Sequence, residues 1–278
     1  MTSTVTRSAC PAQTLAARVA ALLPVRAGRA WTVEPYAAWW TTKPAARLVQ
    51  GDRALILALY PWHTDIGWQL PDREPYQADL RCTRMAPELI TMEVLRLVLP
   101  VLDDEAARAR KDGPRVMGRL ELLNEIGSAM RAQGAATYNR VGLLANTSTL
   151  AWGSGELRYS VTMHGTNPVC DVQIQGPVRT VERVLAHFLQ KPAGEQPQAV
   201  PGVRGRLQRR LAAYLARYVA VEQTEQGGLA FGARPGPYGY AAPAFDPAAR
   251  AHDTAPVSVD LHGVGVDLLV AVAPHIAR

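Results

Sequence analysis

The predicted fold depends on residues Gly51–Leu70, which have the sequence GDRALILALYPWHTDIGWQL. Its apolar run Arg53–Tyr60 and its alternating run Asp65–Leu70 flank a turn at Pro61–Thr64, and this arrangement predicts a β-hairpin. The first strand carries apolar residues on both faces, which is typical of a central strand that is covered on both sides. An apolar helix is predicted to begin at Pro87, since a proline suits the first turn of a helix.

A second stretch, Gly155–Gln175, repeats this pattern with the sequence GELRYSVTMHGTNPVCDVQIQ. Alternating apolar residues again predict two strands, and a helix with apolar residues at helical spacing follows at Val178–Leu189. Helices are also predicted before each hairpin, over Ala12–Leu23 and Val116–Arg131. We therefore expect an α+β protein with two tandem α-β-β-β-α units and antiparallel sheets. The alternative is an α+β chain that shows this order of elements without any duplication.

Composition and periodicity divide the chain into five segments: a first α+β unit, 1–112; a second α+β unit, 113–192; a linker with a basic amphipathic helix, 193–226; a flexible tether rich in Gly, Pro and Ala, 227–256; and a strand-like tail, 257–278. The tail alternates apolar and polar residues and predicts two strands or one bulged strand, with a short helix over Val266–Val272 as the alternative. A strand at this place needs a partner, which is either a sheet edge of its own core or another chain.

The composition limits the classes of function. The 278-residue chain has a net charge of +6, which favours acidic partners only mildly. Its cysteines, Cys10, Cys82 and Cys170, form no CxxC pair, so we predict a cytoplasmic protein without a disulfide framework or a structural zinc site. The sequence shows neither a signal peptide nor an apolar run of about 18 residues that would predict a membrane span. It contains no glycine-rich phosphate loop and no nucleophile elbow, and we expect no cofactor.

The segment between Glu195 and Glu222 contains arginines but no acidic residue. An amphipathic helix of roughly four turns is predicted over Arg206–Glu222. Such a helix binds phosphate groups, acidic protein surfaces or anionic membranes, and the alternative is an ordinary surface helix with solvated arginines. The candidate residues for binding nucleic acid or an acidic partner are Arg204, Arg206, Arg209, Arg210 and Arg217.

Histidines and carboxylates stand beside the turns of both hairpins. His63 and Asp65 flank the first turn, and His164 and Asp171 bracket the second. If the two hairpins face one another, these four side chains form a cluster that suits zinc, manganese or iron. The alternative is that turns favour these residue types for backbone reasons.

Tryptophans are concentrated in the first half of the chain. Trp39 and Trp40 are predicted on one strand, where they would point to opposite faces. Trp62 lies in the first hairpin turn. These three residues are candidates for a protein interface, although burial in the core is the alternative.

The leading functional hypothesis is a non-enzymatic binding or adaptor protein that acts through protein–protein contacts. It depends on the aromatic-rich first sheet and on the tail, which suits strand addition. The second hypothesis is a nucleic-acid-associated accessory protein that uses the basic helix 204–217. The third is a metal-dependent enzyme at the hairpin turns. The expected partner is a protein, with nucleic acid as the alternative, and the sequence does not indicate an oligomeric state.

Overall fold

The structure is a computed structural model, which describes residues 10–38, 40–71, 75, 77–83, 85–109, 115–142, 146–165, 167–191, 200–244 and 250–278. The chain divides into two compact units, Met1–Val98 and Leu99–Arg278. Both contain helices and an antiparallel sheet, so the predicted α+β class is confirmed. Within the described residues, no helix combines the length and the apolar character that a bilayer crossing requires.

The first unit contains a helix, a five-stranded sheet and a second helix. Its elements are α1 (Pro11–Leu22), β1 (Thr32–Tyr36), β2 (Ala45–Gln50), β3 (Arg53–Leu59), β4 (Thr64–Gln69), β5 (Leu80–Cys82), α2 (Pro87–Glu93) and a π-helical segment (Val94–Val98). The strands are ordered β1-β2-β3-β4-β5, and all neighbours are antiparallel. Strands β3 and β4 pair directly, which confirms the first predicted hairpin.

Strand β3 is the centre of the first unit. Its five inner residues, Ala54 to Ala58, are all buried, so the prediction of a strand covered on both faces is confirmed. Helix α1 contacts β1, β2 and β3. A hydrophobic cluster of the first unit consists of the buried residues Ala38, Ala45, Ile56 and Ala58. Tyr36, Trp40 and Tyr60 pack against this cluster.

The second unit contains an eight-stranded antiparallel sheet. Its elements are α3 (Leu99–Ala109), α4 (Arg115–Ala132), β6 (Thr137–Gly142), β7 (Thr147–Ser154), β8 (Leu157–His164), β9 (Val169–Pro177), α5 (Val178–Phe188), α6 (Arg206–Leu215), β10 (Val221–Gln223), β11 (Leu229–Phe231), β12 (Tyr238–Pro243), β13 (Pro256–Gly265) and α7 (Val266–Ile276). The strand order is β10-β11-β12-β13-β9-β8-β7-β6. The pairing of β8 with β9 confirms the second predicted hairpin.

Alternation along the strands gives this sheet one buried face and one partly exposed face. Tyr159, Val172 and Val259 are buried, whereas their neighbours Gln173 and Asp260 are accessible and bond to each other at 3.0 Å. Helices α4, α5, α6 and α7 contact strands of this sheet. The helices therefore complete a core on the apolar face, as the period-two pattern requires.

The C-terminal third of the chain differs from the prediction. The predicted tether contains β11 and β12, so a flexible segment is wrong for the described residues of 227–256. Gly239 serves close packing there, because a Cβ added at this position would lie 1.8 Å from the backbone oxygen of Asp260. These strands join the sheet of the second unit, so the chain divides into two units where five segments were predicted.

The predicted tail is one bulged strand followed by a helix. Strand β13 shifts register between Leu261 and Val264, and Gly263 has a φ of 72° at this bulge. The helix α7 then begins at Val266. Strand β13 pairs with β9 and β12 of the same chain, so it lies in the interior of the sheet and needs no partner chain.

Candidate functional site

Helices α5 and α6 each have a buried apolar side and a polar side. In α5, Val181, Leu185 and Phe188 are fully buried, and in α6 Leu207 and Leu211 are fully buried. The polar positions of each helix recur at a spacing of three and four residues, which places them on one face. The two helices contact each other within the second unit.

An open groove of about 540 Å³ lies between these polar faces. We call it the arginine groove. Its lining residues are Arg179, Glu182, Arg183, Arg210, Ala213, Tyr214 and Arg217. Both walls therefore contribute guanidinium groups, which bind carboxylate and phosphate oxygens in a planar, two-point geometry.

Arg210 is the best-anchored arginine of the groove. Its Nε and Nη2 donate to the two carboxylate oxygens of Glu182 at 2.9 and 2.8 Å, and its Nη1 donates to Oδ1 of Asp253 at 2.7 Å. The Glu182 bond raises the pKa of Arg210 above its usual value. The Glu182 side chain is only 13% exposed. This two-point ion pair therefore joins α5 to α6, and Arg210 is a structural residue as well as a lining residue.

Asp253 provides a second carboxylate at the groove. It accepts from Nη1 of Arg179 at 3.3 Å in addition to its bond from Arg210. The hydrogen bond from Arg210 is the main cause that lowers the pKa of Asp253. The Asp253 side chain is 53% exposed, in contrast to Glu182.

Tyr214 gives the groove an aromatic surface. Its hydroxyl donates to the backbone oxygen of Glu182, and burial raises the pKa of this hydroxyl above its usual value. The guanidinium carbon of Arg217 lies 5.7 Å from the centre of the Tyr214 ring, a distance that allows a cation–π contact. The ring thus holds Arg217 beside the groove without neutralising its charge.

Arg183 and Arg217 are the groove arginines that remain available to a ligand. Both are exposed, and no carboxylate of the described residues forms an ion pair with either of them. Four arginines thus face two carboxylates, and the uncompensated charge lies on opposite walls. The arrangement can bind an anionic group that reaches both walls.

The predicted basic helix is shorter than expected. Helix α6 ends at Leu215, so Arg217 lies in the turn that follows, and β10 begins at Val221. Arg204, Arg206 and Arg209 are exposed and do not line the groove. Of the five predicted arginines, the structure brings together only Arg210 and Arg217. The prediction named Arg210 as a residue that binds an external partner, with solvated arginines as the alternative, whereas Arg210 binds Glu182 and Asp253 of the same chain.

The predicted metal ligands form two separate groups. Nε2 of His63 lies 3.4 Å from Oδ1 of Asp65, which also accepts from Arg81 at 3.0 Å, in the first unit. In the second unit, Asp171 binds Nε2 of His164 at 3.1 Å with one oxygen.

The other oxygen of Asp171 binds Nδ1 of His262 at 2.8 Å. The imidazole nitrogens of His164 and His262 therefore approach different oxygens and do not converge on one point. Among the described residues, no group of three or more His, Cys, Asp or Glu side chains is placed to hold a metal ion.

The candidate interface tryptophans have different environments. Trp39 lies outside the described residues. Trp40 is not on a strand, because β1 ends at Tyr36, and its ring packs so closely on Gly67 that a Cβ there would lie 3.0 Å from Cη2. Trp62 is 83% exposed in the turn between β3 and β4, so it remains a candidate.

Sequence reasoning missed the α5 wall of the groove. Arg179, Glu182 and Arg183 follow the spacing of three and four residues on the polar side of a helix that was itself predicted, and this pattern was the available signal. Asp253 had no such signal, because its position depends on the pairing of strands that were read as a tether.

The chain was compared with protein-family models, with curated proteins and with solved structures, and none of the three comparisons found a match.

Proposed function

We propose that this chain is a non-enzymatic binding protein that captures an acidic segment of a partner protein in the arginine groove. The observation that carries the proposal is the pair Arg183 and Arg217, which stand exposed on opposite walls of one groove. A carboxylate pair on a partner would bind both, and each charge-assisted hydrogen bond contributes about 1.5–3 kcal/mol.

The distribution of charge favours a peptide over a nucleic acid. Glu182 lines the groove and Asp253 binds two of its arginines, and the charges of these carboxylates would repel a continuous row of phosphates. The groove walls are helices of 11 and 10 residues, which limits the length of ligand that they contact. Discrete carboxylates on a short segment fit this pattern, with Ala213 and Tyr214 available for apolar contact.

The order of elements supports a related proposal about how the groove arose. The order α4-β6-β7-β8-β9-α5 is followed by α6-β10-β11-β12-β13-α7, and both halves consist of a helix, four strands and a helix. The first unit has a similar order, with five strands between α1 and α2. We propose that these are repeats of one layout. The arginine groove then lies where one repeat ends and the next begins.

The test is fluorescence anisotropy with labelled hexaglutamate, hexaglutamine and a short single-stranded DNA at about 50 mM and 200 mM salt. We expect hexaglutamate to bind and hexaglutamine not to bind. Tighter binding of the DNA, with a steep loss across this salt range, would instead favour the nucleic-acid hypothesis.

Two double variants locate the binding surface. Arg183→Glu with Arg217→Glu should weaken hexaglutamate binding about ten-fold or more, because a lost contact of about 1.4 kcal/mol is ten-fold in affinity. The matched control, Arg206→Glu with Arg209→Glu, changes the net charge equally outside the groove. An equal loss in both variants would refute the groove as the site.

A further inference from the structure

The carboxylate of Asp253 binds two of the arginines that line the arginine groove. Its two oxygens accept from Arg210 at 2.7 Å and from Arg179 at 3.3 Å, and both arginines line the groove. A partner carboxylate that binds these arginines would form the same kind of bond. Asp253 therefore resembles a ligand that the chain supplies to itself.

The loop that carries Asp253 is held by its backbone and not by this carboxylate alone. The backbone N–H of Arg179 donates to the backbone carbonyl oxygen of Asp253 at 3.2 Å. The backbone N–H of Val178 donates to the backbone carbonyl oxygen of Ala255 at 2.9 Å. These bonds attach the loop to the beginning of α5. The side chain of Asp253 can thus leave the arginines while the loop stays in place.

The two carboxylates of the groove differ in how readily a ligand can replace them. Glu182 is 13% exposed and binds Arg210 through both oxygens, so its removal would break the two-point ion pair that joins the helices. Asp253 is 53% exposed, and exposed ion pairs contribute little to stability because water screens them. Asp253 is therefore the replaceable partner of Arg210 and Arg179.

We propose that Asp253 is a built-in competitor that limits the affinity of the arginine groove for acidic ligands. This inference rests on the proposed function. A ligand binds Arg183 and Arg217 first, and it gains Arg179 and the free side of Arg210 only when Asp253 is displaced. The ligand class is a segment with several neighbouring carboxylates, since a guanidinium group pairs with one carboxylate in the two-point geometry and the groove has four arginines.

The test compares Asp253→Asn with Asp260→Asn in the full chain, with labelled hexaglutamate as the probe. Both substitutions remove one negative charge and keep the shape of the side chain. Asp260 lies on the accessible face of the sheet and bonds to Gln173, so it reports the effect of net charge alone. We expect Asp253→Asn to raise the affinity about two- to five-fold, and Asp260→Asn to change it by less than about 1.5-fold.

Two results would overturn the competitor role while the proposed function stands. One is wild-type binding that Asp253→Asn leaves unchanged or weakens, which would make the carboxylate an organiser of the groove. The other is an equal gain in both variants, which would show a general effect of charge. If neither the wild type nor Asp253→Asn binds hexaglutamate, the proposed function itself fails, and the competitor role fails with it.

Discussion

Tyr159 shows at the scale of one residue how a buried polar atom affects stability. Its ring stacks on Trp152 with centroids 4.9 Å apart, and its hydroxyl has no hydrogen-bond partner among the described residues. Burial raises the pKa of this hydroxyl above its usual value. A buried hydroxyl without a partner costs about 1–3 kcal/mol of desolvation.

We predict that Tyr159→Phe raises the free energy of unfolding by about 1 kcal/mol, because it removes that unpaired hydroxyl and keeps the stacked ring. Urea denaturation of the variant and of Tyr240→Phe, whose side chain is 51% exposed, measures the difference. The free energy of unfolding of the control, Tyr240→Phe, should stay within about 0.5 kcal/mol of the wild-type value. A loss of stability in Tyr159→Phe would mean that the hydroxyl has a partner.

Single residues also explain which parts of the site the sequence could predict. Arg183 and Arg217 could be found from helical spacing, which is a local property. The anchoring of Arg210 could not, because Glu182 and Asp253 approach it from positions 28 and 43 residues away. An ion pair between distant positions depends on the packing of helices and on strand order, which local periodicity does not contain.

At the scale of elements, the contact between α5 and α6 depends on Arg210. We predict that Arg210→Ala lowers the free energy of unfolding by about 1–3 kcal/mol, because it leaves the Glu182 carboxylate largely buried without its two-point partner. Arg206→Ala, at an exposed position of α6, should change it by less than about 0.5 kcal/mol. Chemical denaturation of both variants checks the difference, and equal effects would refute the structural role of Arg210.

The elements that the sequence predicted well are those whose apolar residues recur at the regular spacing of a strand or a helix, or fill a whole strand. Strands β3, β4, β8 and β9 alternate or are wholly apolar, and helices α1 and α5 show apolar residues at helical spacing. Strands β11 and β12 were missed because Gly, Pro and Ala in a strand look like those of a linker. A glycine is needed at position 239, since Gly239 has no room for a Cβ beside β13.

At the scale of the whole molecule, the C-terminal segment completes the core of the second unit. Val257, Val259 and Leu261 of β13 and Leu268, Leu269 and Val272 of α7 are buried, and β13 pairs with both β9 and β12. A removable tail would lack these contacts. The interior position of β13 could not be predicted, because the alternation of a strand does not identify its neighbours.

We predict that deletion of residues 227–278 abolishes folding of the second unit, because it exposes β9 as an apolar edge and removes α7 from the core. Soluble yield, circular dichroism and limited proteolysis measure this outcome. A soluble product that keeps the far-ultraviolet signal of the second unit would contradict the placement of β13.

Binding of acidic segments by the arginine groove can be tested by reversing the charge of its two exposed arginines. The variant Arg183→Glu with Arg217→Glu reverses the balance of charge at the groove, because two arginines then face four carboxylates. Its binding to labelled hexalysine and to labelled hexaglutamate is measured beside that of the wild type. We expect the variant to lose binding of hexaglutamate and to gain binding of hexalysine, whereas the wild type binds only hexaglutamate, because attraction between opposite charges determines the ligand. Wild-type ligand preference in the variant would contradict the assignment of binding to this groove.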